Sequence, residues 1–124
     1  MNLRKAGLDW FRANRGVTGD PIRVSKLYLR KESWTGRPAW WFELPATLVS
    51  KPSGYIHLLC QQVGPKGGFH HLRIPKGLFS ERRPDLAFRE DRGVFSLFLS
   101  AEPDSMFREL RGSGKIEFAG FRED

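Results

Sequence analysis

From Gly16 onward, glycine or proline interrupts this chain at intervals of about ten residues, which leaves room for short strands and little else. The beginning is the exception. Leu3, Ala6, Gly7, Trp10 and Phe11 recur at i, i+3, i+4, i+7 and i+8, the apolar stripe of an amphipathic helix that Asn2 can cap and Gly16 can end. Lys5, Leu8, Arg12 and Arg15 fall on its other face, so three cations are expected to project together away from the core.

Alternation then predicts the strands. Ile22 to Lys31 slips phase, because Ile22 and Val24 share one face and Leu27 and Leu29 the other, which calls for a bulge or for burial on both sides. Trp40, Phe42 and Leu44 alternate cleanly, and Gly36 and Pro38 in the connection predict an antiparallel hairpin with the preceding strand. A second hairpin joins Tyr55 to Val63 with Phe69 to Ile74 across Gly64-Pro65-Lys66-Gly67-Gly68. Pairing Leu58 with Ile74, Cys60 with Leu72 and Gln62 with His70 gives it one mostly apolar face. The other face is mixed, with Tyr55, His57, Leu59, Gln61 and Val63 against Phe69, His71, Arg73 and Pro75; it is either a poorer second core or a polar working surface. Leu86 to Arg89 and Val94 to Leu99 make a third hairpin around Asp91-Arg92-Gly93. A short helix is expected from about Pro103 to Arg111, with acidic residues at its start and Arg108 and Arg111 at its end, and Ile116 to Phe121 as a last strand. The fold class is therefore α+β: an antiparallel, twisted sheet of about six or seven strands, with barrel-like closure as one form of it, an N-terminal helix and a short helix near the C-terminus.

A chain of 124 residues supports one domain, residues 1–124, and its ten Phe and four Trp supply an aromatic-rich core. Cys60 is the only cysteine, so an intrachain disulfide is excluded and a reducing cytoplasm fits. No stretch approaches the apolar length of a membrane span, so a soluble protein with no membrane partner is expected. The net charge of +7 is uneven: residues 1–76 hold 13 basic and 4 acidic side chains, residues 77–124 hold 8 and 10. Clustered cations of this kind suit a polyanion, nucleic acid first, because phosphate binding releases counterions.

Chemical motifs fare worse. Gly112-Ser113-Gly114-Lys115 imitates the end of a phosphate-binding loop, but Glu109 stands where the first glycine is needed and Ile116 where Ser or Thr should bind magnesium. His70 and His71 point to opposite faces of a strand, and His57 with His71 makes only two ligands, so no metal and no cofactor is called for. Cys60 falls on the apolar face, where a thiolate is disfavoured. The pairs of carboxylates around Asp85 and Glu90, and around Asp104 and Glu109, carry Arg in place of the lysine of a metal-dependent nuclease.

One longer resemblance exists. The run Trp40-Trp41-Phe42-Glu43-Leu44-Pro45, the strand Tyr55 to Cys60 and the strand Phe69 to Pro75 resemble the segment after the catalytic strand in PD-(D/E)XK-type nuclease-fold proteins, over about a third of the chain. The resemblance puts the family's lysine near Lys26, but Val24 stands where its acid belongs, which implies retention of a nucleic-acid-binding shape rather than cleavage.

The leading expectation is a non-catalytic nucleic-acid-binding module. Lys5, Arg12, Arg15, Arg23, Lys26, Arg30 and Arg37 would contact phosphates, while Tyr28, Trp34 and Trp41 stack or wedge. One alternative is a degraded or partner-completed metal-dependent nuclease using Asp20 and Lys26. Another is a protein-interaction subunit, or homo-oligomer, that pairs through the mixed face of the Tyr55 to Pro75 hairpin.

Overall fold

The helix α1 spans Leu3–Arg15, as its periodicity predicts, in a computed structural model that describes residues 2–33, 35–64 and 67–123. The Asn2 side chain accepts the Lys5 N–H at 3.1 Å, and Gly16 closes the helix with a φ of 94°. Gly7 is buried because α1 lies very close to the strand below it: a Cβ there would sit 2.6 Å from Val24 Cγ2.

The remainder forms two four-stranded sheets rather than one, and neither closes into a barrel. In the first sheet, β1 (Ile22–Ser25) pairs in parallel with β4 (Tyr55–Gln61), which pairs antiparallel with β5 (Phe69–Pro75), and β8 (Arg122–Glu123) lies at the far edge. In the second, β2 (Leu27–Tyr28), β3 (Ala39–Pro45), β7 (Val94–Ser100) and β6 (Ala87–Arg89) are all antiparallel in that order. Short helices α2 (Ala46–Val49) and α3 (Leu78–Glu81) and 3-10 turns at Arg83–Asp85 and Ala119–Phe121 connect them. Among the described residues, no helix is long and apolar enough to cross a membrane.

The phase slip at Ile22 to Lys31 is the step from one sheet to the other. Ser25 Oγ accepts the Trp41 N–H at 2.9 Å and donates to the Lys26 carbonyl at 2.8 Å, while Gln61 Oε1 accepts the Leu27 N–H at 3.1 Å. These side chains replace ladder bonds that the crossing chain forfeits. Only β2 therefore hairpins with β3; β1 leaves for the other sheet.

The molecule is layered as α1, first sheet, core, second sheet. Ile56, Leu58, Cys60, Leu72 and Ile74 meet Trp40, Phe42, Leu44, Phe95, Leu97 and Leu99 in the main core, and Trp40 stacks on Phe107 at 5.4 Å. Burying each such side chain is worth about 1.5–3 kcal/mol, so this seam is the principal source of stability. A smaller cluster of Phe11, Leu59 and Phe69, flanked by Leu3, Ala6 and Trp10, glues α1 to the first sheet's other face. Cys60 is core as expected, and burial pushes its thiol well above the usual range.

Three details differ from expectation. The β4–β5 register pairs Leu58 with Leu72 and Cys60 with His70, two residues from the expected pairing, because the hairpin closes through the Gln62 N–H on the Gly68 carbonyl at 2.9 Å. An even slip keeps every side chain on its expected face. Residues 103–111 form turns and isolated bridges instead of a helix: Phe107 takes a φ of 67°, and the segment runs back along β7, with Phe107 N–H on Ser100 O and Leu110 N–H on Phe98 O. The short helical turn near the C-terminus is the one at Ala119–Phe121, and the last strand is β8 rather than Ile116 to Phe121.

Candidate functional sites

Two regions on opposite sides of this layering gather chemistry-bearing side chains. The first is the outer face of the second sheet, where alternation turns Trp41 and Glu43 of β3 and Ser96 and Phe98 of β7 away from the core. Trp41 lies directly across from Phe98, and their rings stack at 5.7 Å with an interplanar angle of 11°. Tyr28 meets Trp41 edge-on at 5.9 Å, extending the row, and Trp41 Nε1 donates to Ser96 Oγ at 3.3 Å. Phe98 is only 5% exposed, whereas Tyr28 and Trp41 are half-buried, so the Tyr28 and Trp41 rings keep surface available. Cations border the row: Lys26 Nζ lies 4.6 Å from the Tyr28 ring and the Arg111 guanidinium 5.6 Å from the Phe98 ring. Tyr28, Trp41, Phe98, Arg89 and Arg111 line a groove of about 550 Å³. Lys26 pairs with Glu32 at 3.2 Å, holding that carboxyl below its usual range, and Arg89 and Arg92 each reach Glu43 at 3.5 Å.

The turns and bridges of residues 103–111 support this face from beneath. Glu109, 0% exposed, accepts N–H groups of Phe98 at 2.9 Å, Arg111 at 3.1 Å and Gly112 at 2.6 Å. Burial raises its carboxyl above the usual range despite those three donors.

The second region is a cleft of about 390 Å³ between the end of α1 and the first sheet. Arg15 Nε donates to His71 Nδ1 at 3.0 Å, His71 Nε2 lies 2.8 Å from His57 Nδ1, and His57 Nε2 lies 3.4 Å from Asp20 Oδ2. A guanidinium can only donate, so His71 Nδ1 must accept and the proton of neutral His71 sits on Nε2. That proton is given to His57 Nδ1, which places the His57 proton on Nε2, facing Asp20 and the cleft. The row is a directional wire from the Arg15 guanidinium to His57 Nε2, which points toward the Asp20 carboxylate.

Protonating either imidazole would set two donors against each other, and both rings are buried, at 5% and 3% exposure. Burial foremost, then the like charge that a protonated His57 would add and the guanidinium charges of Arg15 and Arg73, lowers His71 to about 4. Burial lowers His57 as well, outweighing the opposing pull of Asp20. Phe11 packs edge-on against both rings at 5.0 and 5.2 Å, which ties α1 to the pair.

Comparison with protein-family models, with curated proteins and with solved structures finds no match.

Of the ten residues expected to touch nucleic acid, the structure brings Lys26, Tyr28 and Trp41 together on the outer face, and Arg30 follows β2 in an exposed turn. Trp34 lies outside the described residues. Lys5 and Arg12 are exposed on α1, across both sheets from that row, and Lys5 pairs with Asp9 at 3.4 Å. Arg15 does not project with them: it turns back to His71 and to the Glu123 carbonyl. Arg23 bonds to the Ile22 carbonyl, and Arg37 pairs with Glu102 at 3.5 Å. Asp20 and Lys26 are not brought together, since Asp20 lines the cleft and Lys26 engages Glu32 and Tyr28. His57 and His71 share the mixed face as expected, and among the described residues no cluster of three metal-ligating side chains forms. Phe98, Arg89 and Arg111 escaped the sequence reading because nothing local says that β3 and β7 are neighbours.

Proposed function

We propose that this protein binds single-stranded nucleic acid on the outer face of its second sheet. The observation that carries the reading is the Tyr28–Trp41–Phe98 row with Lys26 and Arg111 beside its rings. A base stacks on any aromatic face, and each such contact is worth about 1–3 kcal/mol whatever the base, so partly exposed rings on a sheet suit unpaired strands. Neighbouring phosphates fall to Lys26, Arg30, Arg89 and Arg111. Lys26 already holds an exposed ion pair with Glu32, which exchanges for phosphate at little cost because surface pairs are worth about 0–1 kcal/mol, while Arg89 stays on the half-buried Glu43 and can turn to phosphate only from its exposed partner Asp91.

The reading calls for no catalysis. Its test is titration with oligouridylate and oligothymidylate at several salt concentrations. Affinity is expected to fall steeply and linearly on a log–log plot as salt rises. Absence of binding at low salt, or binding indifferent to salt, contradicts it.

A further inference from the structure

The cleft beside α1 contains a donor that the protein itself does not satisfy. His57 is 5% exposed, yet its Nε2 has no hydrogen-bond partner among the described residues. Asp20 Oδ2 stands 3.4 Å away, near enough for electrostatic attraction but not aligned to accept the proton. An unmet buried N–H is costly to leave without an acceptor, and this one lies just inside the wall of the cleft.

The wire decides what kind of group can answer it. A cation at Nε2 needs that nitrogen bare, which moves the His57 proton to Nδ1, against His71 Nε2–H; relieving that clash puts the His71 proton against Arg15 Nε–H. The row therefore opposes a metal and favours an acceptor. A bare carboxylate oxygen is a poor acceptor at this point, because it would also meet the Asp20 carboxylate. A hydroxyl group answers both, accepting from His57 and donating to Asp20. Nearby, Arg73 Nη1 holds Glu123 Oε1 at 3.6 Å in a pair whose side chains are 45% and 42% exposed, and its guanidinium is seated 3.7 Å over the Tyr55 ring. Such a pair is easily exchanged.

We propose that the cleft binds a small hydroxyl-bearing anion, an α-hydroxy carboxylate or a phosphorylated polyol. Its hydroxyl bridges His57 Nε2–H and Asp20, and its anionic group replaces Glu123 on Arg73. The site is independent of the nucleic-acid surface.

The test uses the full ¹⁵N-labelled chain and follows imidazole nitrogens by NMR. Lactate and glycerol 3-phosphate represent the two sources, with propionate, inorganic phosphate and glycerol as controls that lack one half of the ligand. One hydroxyl-bearing anion is expected to move His57 Nε2 and to bind at least about tenfold more tightly than its control, and the tighter of the two assigns the source. Asp20→Asn should erase that preference, and Arg73→Gln should weaken binding by about tenfold or more. Both positions are partly exposed, so the variants should fold, and an unchanged His71–Arg15 signature verifies it. Trp41→Ala should leave this binding intact. Equal binding of propionate and lactate and of both phosphates, or no movement of His57 Nε2 by roughly 10 mM ligand, overturns the proposal.

Discussion

The outer face of the second sheet and the cleft beside α1 both combine aromatic rings with guanidinium groups, yet they handle charge in opposite ways. On the outer face, Lys26 keeps its charge at the surface, in an exchangeable ion pair with Glu32 beside the partly exposed Tyr28 ring. In the cleft, the aromatic neighbours are imidazoles held neutral, and the guanidinium of Arg15 serves to orient them. The difference lies in burial. Exposed charge is cheap and can change partners; buried polar groups must be aligned in a chain, and the last donor of that chain is left for something else.

The comparison breaks most visibly at its foundations. Glu109→Ala strands three backbone N–H groups under the outer face, and a loss of about 3–5 kcal/mol in chemical denaturation is expected. Amide exchange should quicken at Phe98 and Arg111 before it quickens at His57. A loss below about 1 kcal/mol would mean that the carboxylate does not organise this segment.

Acid separates the two regions next. The unfolded chain takes up a proton on His71 more readily than the native one, so the stability that His71 contributes is complete above pH 6.5 and is lost as pH falls toward about 4. A shift of that size corresponds to roughly 3 kcal/mol. Glu109 works in the other direction: its raised native value favours the folded state in acid, and this contribution declines as pH rises above 4.5. In His71→Phe the acid-side slope should flatten, which denaturation at a series of pH values reads directly; an unchanged slope would place the titration elsewhere.

Two binding variants sharpen the contrast further. Trp41→Ala should weaken oligonucleotide binding by about 1–3 kcal/mol while leaving the histidine signals in place. The smallest effect belongs to Arg12→Ala, on the far side of both sheets, which should change affinity by less than about twofold at physiological salt because screening is strong over such a span. A large loss there would move the interface onto α1.

What could be read from residues alone follows the range of the forces concerned. The α1 stripe, the outward turn of Trp41 and the shared face of His57 and His71 depend on local periodicity, and all appear in the structure. Residues 103–111 carry helix-like charges at both ends, but their course is set by pairing back onto the neighbouring strand β7 and by the burial of Glu109, which runs against its residue type. The wire was half legible. Two histidines on one face follow from alternation, whereas Arg15 reaches them because α1 folds back over the sheet, and Asp20 because β1 pairs with β4 beside His57.

The four tryptophans make the decisive measurement simple. In a ¹H–¹⁵N spectrum of the full chain, adding a short oligouridylate should move the indole N–H of Trp41, which now bonds Ser96, and leave that of Trp10 beside Phe69 in place. Movement of the Trp10 signal with Trp41 unmoved would contradict the assignment of nucleic-acid binding to the outer face of the second sheet.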